Sequence, residues 1–181
     1  MKPTKKAVQE ISSKIPYATS IAHYYNPSNN FLKRFAWNIL TRYYITQIKG
    51  TFLDFDKKSF TNQAKDIYTG AYKALYKGDK TDLNKMMTHP NYECLKYCQK
   101  LNTNPPFTIY PEVKSAKLVQ AYITSEKGDN ISINNFAHIT VKMTCEDENG
   151  NQITQINVFE RRLDSTNKMP WRIAIIEDYN K

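Results

Sequence analysis

Three histidines, three cysteines and one short run of carboxylates are the side chains here whose types could do chemistry. A histidine near neutral pH can carry a proton for general acid–base work or ligate a metal. His23, His89 and His138 are far apart in the chain, and none forms a metal-ligand pair with another. His138 shares the phase of Thr140 and Lys142 on a predicted strand, opposite the apolar row, and this places it on the surface. Cys94 and Cys98 are four residues apart in a helix-like stretch, not the two-residue gap of a zinc knuckle. With Cys145 the thiols are odd in number and read as buried or half-buried residues of a reducing compartment. Glu146-Asp147-Glu148 lies beside a turn and reads as a solvated loop rather than a metal site. Glycine occurs only at 50, 70, 78, 128 and 150, so neither G-x-G-x-x-G nor a P-loop can be written. No catalytic, metal-binding or cofactor-binding residue is expected, and no small-molecule substrate.

The elements that must position these side chains come as helices first and strands last. Residues 1–30 hold Pro3, Pro16, Pro27 and the polar cluster from Asn26 to Asn30, and read as a loop. From Phe31 to about Ile48 the spacing is helical. Leu32, Phe35, Ala36, Ile39, Leu40 and Tyr43 share one face, Arg34, Asn38, Thr41 and Arg42 the opposite one, with Trp37 and Tyr44 at the border. A second helix has Ser59 as a candidate N-cap, the stripe Phe60, Ala64, Ile67, Tyr68, Ala71 and Leu75, and Gly78 as its stop. Asp79 or Thr81 starts a short helix, which His89-Pro90 breaks, and a third piece runs from Tyr92 to about Leu101. After Pro105-Pro106 the period changes from 3.6 to 2. Strands are predicted at Lys117–Thr124, at Ala137–Cys145, and in a closing hairpin of Ile153–Asp164 and Trp171–Asp178. The Asn149-Gly150 turn joins the second and third. Trp171, Ile173 and Ile175 alternate against Arg172, Ala174 and Ile176, with Trp171 as a core anchor.

Charge divides the chain unevenly. Residues 1–50 carry eight Lys/Arg against one acid, Glu10, a net +7 of the total +9. No apolar run reaches the ~18 residues of a membrane-spanning helix. No apolar core follows Met1–Lys6 as a secretory signal requires, which leaves the acceptor pattern Asn130-Ile-Ser132 inert. The first arginine is Arg34, so the N-terminal stretch has little of the Arg-rich character of a mitochondrial presequence. The division expected is a basic arm, 1–56, with an amphipathic helix at about 31–48, and an α+β domain, 57–181. Lys2, Lys5, Lys6, Lys33, Arg34, Arg42 and Lys49 are the expected contacts to a polyanion, either RNA or lipid headgroups. Leu32, Phe35, Trp37, Ile39, Leu40 and Tyr43 are the expected membrane or partner face. Lying on anionic lipid, threading into RNA and packing on the chain's own domain or a neighbouring subunit all remain open for this helix.

Two segments carry a family resemblance. The stretch from Ala64 to Leu83, a helix ending in Gly-Asp before a short helix with a leucine, resembles the start of the Tim-forty-four-like domain family. Val158-Phe-Glu-Arg161 followed by Pro170-Trp-Arg172 is similar to its closing hairpin, closest to the mitochondrial large-ribosomal-subunit protein forty-five branch. The resemblance spans roughly 58–178. It implies an α+β cone of the nuclear-transport-factor-two-like or cystatin-like kind: helices followed by a curved antiparallel sheet. It implies a place in the mitochondrial matrix against the inner membrane, within a large assembly. The ribosomal branch implies binding to ribosomal RNA and ribosomal proteins near the peptide exit and attachment to the inner-membrane surface. The translocase branch implies tethering of an import motor, and a third possibility is an accessory subunit of another inner-membrane complex.

Overall fold

Four helices precede four strands in the computed structural model, which describes residues 31–53, 55–127, 133–163 and 169–179. The helices are α1 (Phe31–Thr51), α2 (Lys57–Lys77), α3 (Lys80–Met86) and α4 (His89–Lys100). The strands are β1 (Glu112–Lys127), β2 (Ile133–Glu146), β3 (Gln152–Arg162) and β4 (Arg172–Asp178). They form one antiparallel meander in the order β1-β2-β3-β4, so the protein is α+β with a curved sheet, as expected. Bulges in β1 bend the sheet where the ladder slips, between Val113 and Ser115 and between Leu118 and Gln120.

α2 forms where its stripe dictates. Phe60, Ala64, Tyr68, Ala71 and Ala74 are buried at helical spacing. Its N-cap is Asp56, one turn before Ser59, and the Asp56 carboxylate accepts from the Lys58 and Ser59 amides at 2.9 Å each. At the other end Gly78 sits at φ 69°, where a side chain would be strained. Asp79 then caps α3 through the Thr81 and Asp82 amides. Gly70 weakens α2 by about 1 kcal/mol relative to alanine. It also lets Met86 of α3 come close, since a Cβ there would lie 2.8 Å from the Met86 methyl.

The inner face of β2 is the predicted row, with Ala137, Ile139, Val141, Met143 and Cys145 all buried. An aromatic knot closes one end of the core. Trp171 is 2% exposed, 4.9 Å from Phe60, 6.2 Å from Phe52 and 6.3 Å from Phe55 between ring centres. The outer edge of β4 is covered by backbone and side-chain donors. Thr88 donates its amide, and Asn91 its side-chain amide, to the Ile173 carbonyl.

Several expectations need correction. The boundary at 56/57 cuts through the core, because Ile45, Ile48, Phe52 and Phe55 belong to the same buried cluster as α2 and the sheet. The phase of β4 breaks at a bulge opposite Val158 and Phe159. Ile173 and Ile176 therefore join the main core, while Ala174 and Ile175 form a separate cluster with Val158. His138 is not on the surface but 2% exposed. Its face of the sheet is closed by its cross-strand neighbours: Tyr122 stacks on it at 4.8 Å and 4°, and Glu160 is its partner on β3.

Candidate functional site

α1 has two opposed faces, and this sets the geometry of the only surface the charge pattern singled out. Thr41, Ile45 and Ile48 are buried against the domain, where α1 lies along β1. At about 100° per residue these three centre roughly 180° from Leu32, Ile39 and Tyr43. Those remain 72%, 52% and 56% exposed, and Phe35 and Leu40 are exposed with them. Lys33 flanks this outer stripe on one side, and Arg42 and Lys49 on the other, all exposed. Arg34 is exposed in the first turn. Trp37 departs from the expected partner face: it is half-buried on the side of Thr41 and Tyr44. Lys2, Lys5, Lys6 and His23 lie outside the described residues. The docking face of α1 was missed because Thr41 is polar and its row looks less apolar than the outer one. The pairing of Ile45 with Ile48 was the available signal.

The interior between α2 and the sheet carries more polarity than the apolar rows predicted. The Tyr68 hydroxyl donates to Gln155 Oε1 at 2.6 Å and accepts from the Tyr110 amide at 2.9 Å. Gln155 Nε2 donates to the Thr108 carbonyl and to Asp178 Oδ1, each at 2.9 Å, and the Cys145 thiol donates to Gln155 Oε1 at 3.8 Å. Burial pushes the Tyr68 hydroxyl far above its ordinary value and the Cys145 thiol up to about 11, so both stay neutral. Every polar atom of Gln155 is satisfied, which makes this network a tie between α2, the 101–111 connection and three strands. Asn157 faces the same interior, fully buried, with neither amide atom bonded. Sequence reading missed both residues; the available signal was the hairpin register, which sets Gln155 opposite Met143 and Asn157 opposite Val141.

The other face brings together a carboxylate, an imidazole and a hydroxyl. His138 Nε2 is 2.8 Å from Thr124 Oγ1, and Nδ1 is 3.8 Å from Glu160 Oε2. The second distance is too long for a hydrogen bond. Burial lowers the His138 pKa to about 4, which makes the imidazole a poor base near neutrality. The arrangement is a packed histidine, and it has a pH consequence. Unfolded histidine titrates near 6.5. Folded His138 resists protonation down to about 4, so the stability present above pH 6.5 is lost as pH falls toward 4. Between pH 7.5 and 5 the loss is about 2 kcal/mol. Urea unfolding of wild type and His138→Gln at both pH values should give a difference between the proteins that changes by that amount; parallel profiles would refute it.

His89 is exposed at the start of α4, and the cysteines and the carboxylate run serve the fold. Cys94, Cys98 and Cys145 are free and buried, as expected. Burial, with Cys98 alongside, pushes the Cys94 thiol up to about 12. Asp147 builds the β2–β3 turn by accepting from the Asn149 and Asn151 amides and the Asn151 side chain, while Gly150 supplies the positive φ of 83°. Glu146 pairs with Lys114 at 3.1 Å. Among the described residues no three metal-ligating side chains cluster. No described helix is long and apolar enough to cross a membrane. Compared with known families, the chain matches no family model, and no curated protein matches it.

Proposed function

We propose that this protein is a non-catalytic scaffold that α1 holds against a polyanionic surface. Its setting in this reading is the mitochondrial large ribosomal subunit near the peptide exit, where it helps attach the ribosome to the inner membrane. The observation that carries the reading is the double-faced α1. One apolar face is used up in the core, and the other is turned outward between basic side chains. Each exposed apolar side chain contributes about 1.5–3 kcal/mol when fully buried, and each basic residue about 1 kcal/mol near an anionic membrane. The order of four helices and then a curved meander supports a cone of the nuclear-transport-factor-two-like kind. The Val158–Arg161 and Pro170–Arg172 segments, which carry the Tim-forty-four-like resemblance, lie on or beside neighbouring strands β3 and β4. The Tyr68–Gln155 network supports a non-catalytic interior, since its bonds are spent on the fold.

The test combines native co-purification with two sets of α1 variants. Ribosomal RNA and large-subunit proteins are expected to accompany the native protein; translocase or respiratory subunits in their place would overturn the ribosomal assignment. Replacing Leu32, Phe35 and Ile39 with serine should leave unfolding unchanged and weaken binding to anionic phospholipid vesicles at least tenfold. Changing Lys33, Arg34 and Arg42 to glutamine should weaken RNA binding and flatten its salt slope by roughly 2–3 units. Vesicle binding unaffected by the serine changes would remove the membrane role.

A further inference from the structure

We propose that a second surface, the groove between the end of α2, α3 and α4, docks a short acidic segment of a partner protein through one large apolar side chain. Leu75, Leu83 and Leu95 form its floor, with Tyr92 at one wall and Lys80 and Lys96 at the rim. Its volume is about 140 Å³. Small-molecule sites are typically about 300–1,000 Å³, whereas an apolar cavity of about 150 Å³ holds one benzene. The groove therefore fits one leucine or phenylalanine side chain, the kind of anchor on which protein interfaces concentrate their affinity.

The charge at its mouth selects the flanking residues of that anchor. Of the two rim lysines, Lys80 forms no ion pair among the described residues. The nearby acids are engaged. Asp79 caps α3, and Glu93 holds Lys96 at 3.0 Å. Lys96 also lies 5.8 Å from the centre of the Tyr92 ring, which keeps its ammonium at the rim and covers that ring. An acidic chain meets a lysine on each side of the groove, Lys80 from α3 and Lys96 from α4. An aliphatic floor, with its one aromatic ring covered by a lysine, favours a peptide side chain over a stacked nucleobase.

The experiment uses the full chain and fluorescein-labelled nonapeptides of Asp and Glu with a central Phe, Leu or Ala. Oligouridine serves as competitor. Phe and Leu peptides should bind at least tenfold more tightly than the Ala peptide. Lys80→Gln with Lys96→Gln should weaken them at least tenfold and lower the thermal unfolding midpoint by no more than a few degrees, since the Lys96–Glu93 pair they remove is solvent-exposed. Gln99→Trp, an exposed lining position, should remove the preference for the large anchor. The Leu32, Phe35 and Ile39 serine variant should bind the peptides as wild type does, which separates this groove from α1. Absence of saturable binding up to millimolar peptide, indifference to the central residue, or retention by the lysine variant overturns the proposal. Tighter oligouridine binding that the same lysine changes abolish would assign the groove to RNA instead.

Discussion

Gln155→Leu is expected to destabilise the fold by about 3 kcal/mol or more, while Asn157→Leu, two residues along the same strand face, is expected to stabilise it. Both side chains are fully buried on β3 and point between the sheet and α2. Gln155 joins the Tyr68 hydroxyl, the Thr108 carbonyl and the Asp178 carboxylate. Leucine fills its space but leaves the buried Tyr68 hydroxyl without its acceptor, at about 1–3 kcal/mol, and removes the two part-buried bonds to Thr108 and Asp178, at about 0.5–1.5 kcal/mol each. Asn157 is the converse case. Neither its Oδ1 nor its Nδ2 has a partner, so a leucine of similar shape removes the desolvation cost and abandons no bond. The gain expected is about 1–3 kcal/mol. Urea unfolding of the two single variants measures both. Changes of the same sign would refute the contrast. A destabilised Asn157→Leu would mean that a water or small polar ligand satisfies the amide in solution.

The sequence was most informative where one pattern dominated. α2 has one apolar stripe, one glycine stop and one following cap, and the structure keeps all three. β2 alternates without interruption and is buried row by row. Legibility fails where two phases compete. β3 reads Ile153, Gln155, Asn157 and Phe159 on one face and Thr154, Ile156 and Val158 on the other. Apolar residues stand on both, and only the turn at Asp147–Asn151 decides which faces α2. β4 changes phase at a bulge, a long-range consequence of its pairing with β3. His138 looked solvent-facing because Tyr122, the residue that stacks on it, lies sixteen positions earlier in sequence on β1.

α1 is the same problem in a helix, and it bears on the candidate surface. Its outer row is the more apolar, so periodicity alone assigns that row to a partner or a core without choosing between them. The choice depends on the Ile45, Ile48 and Phe52 contacts with strands far along the chain. Arg161 of β3 lies 3.8 Å from the centre of the Phe52 ring, which pins the end of α1 to the sheet. The basic residues expected on α1, Lys33, Arg34, Arg42 and Lys49, are all exposed, because a long charged side chain on a helix surface gains little from burial.

Trp171→Ala is expected to cost about 3–5 kcal/mol, the range for large aromatic truncations in packed cores. Trp171 is 2% exposed and meets Phe52, Phe55 and Phe60, while Phe60 in turn meets Phe159 edge-on at 6.0 Å. One ring therefore joins the α1–α2 connection, α2 and the closing hairpin, and its removal leaves a cavity that all three border. For a chain of this size the midpoint of thermal unfolding should fall by about 10 °C or more. The same knot predicts the outcome of truncation. A chain starting at residue 57 keeps Trp171 but loses Phe52 and Phe55, together with Ile45 and Ile48, from one cluster. It should lose at least as much stability as Trp171→Ala. Phe52→Ala and Trp171→Ala should also combine to less than the sum of their separate effects, since neighbours in contact are not additive. If Trp171→Ala leaves unfolding within 1 kcal/mol of wild type while RNA or vesicle binding disappears, Trp171 is a ligand-stacking residue and the knot is not what closes the core.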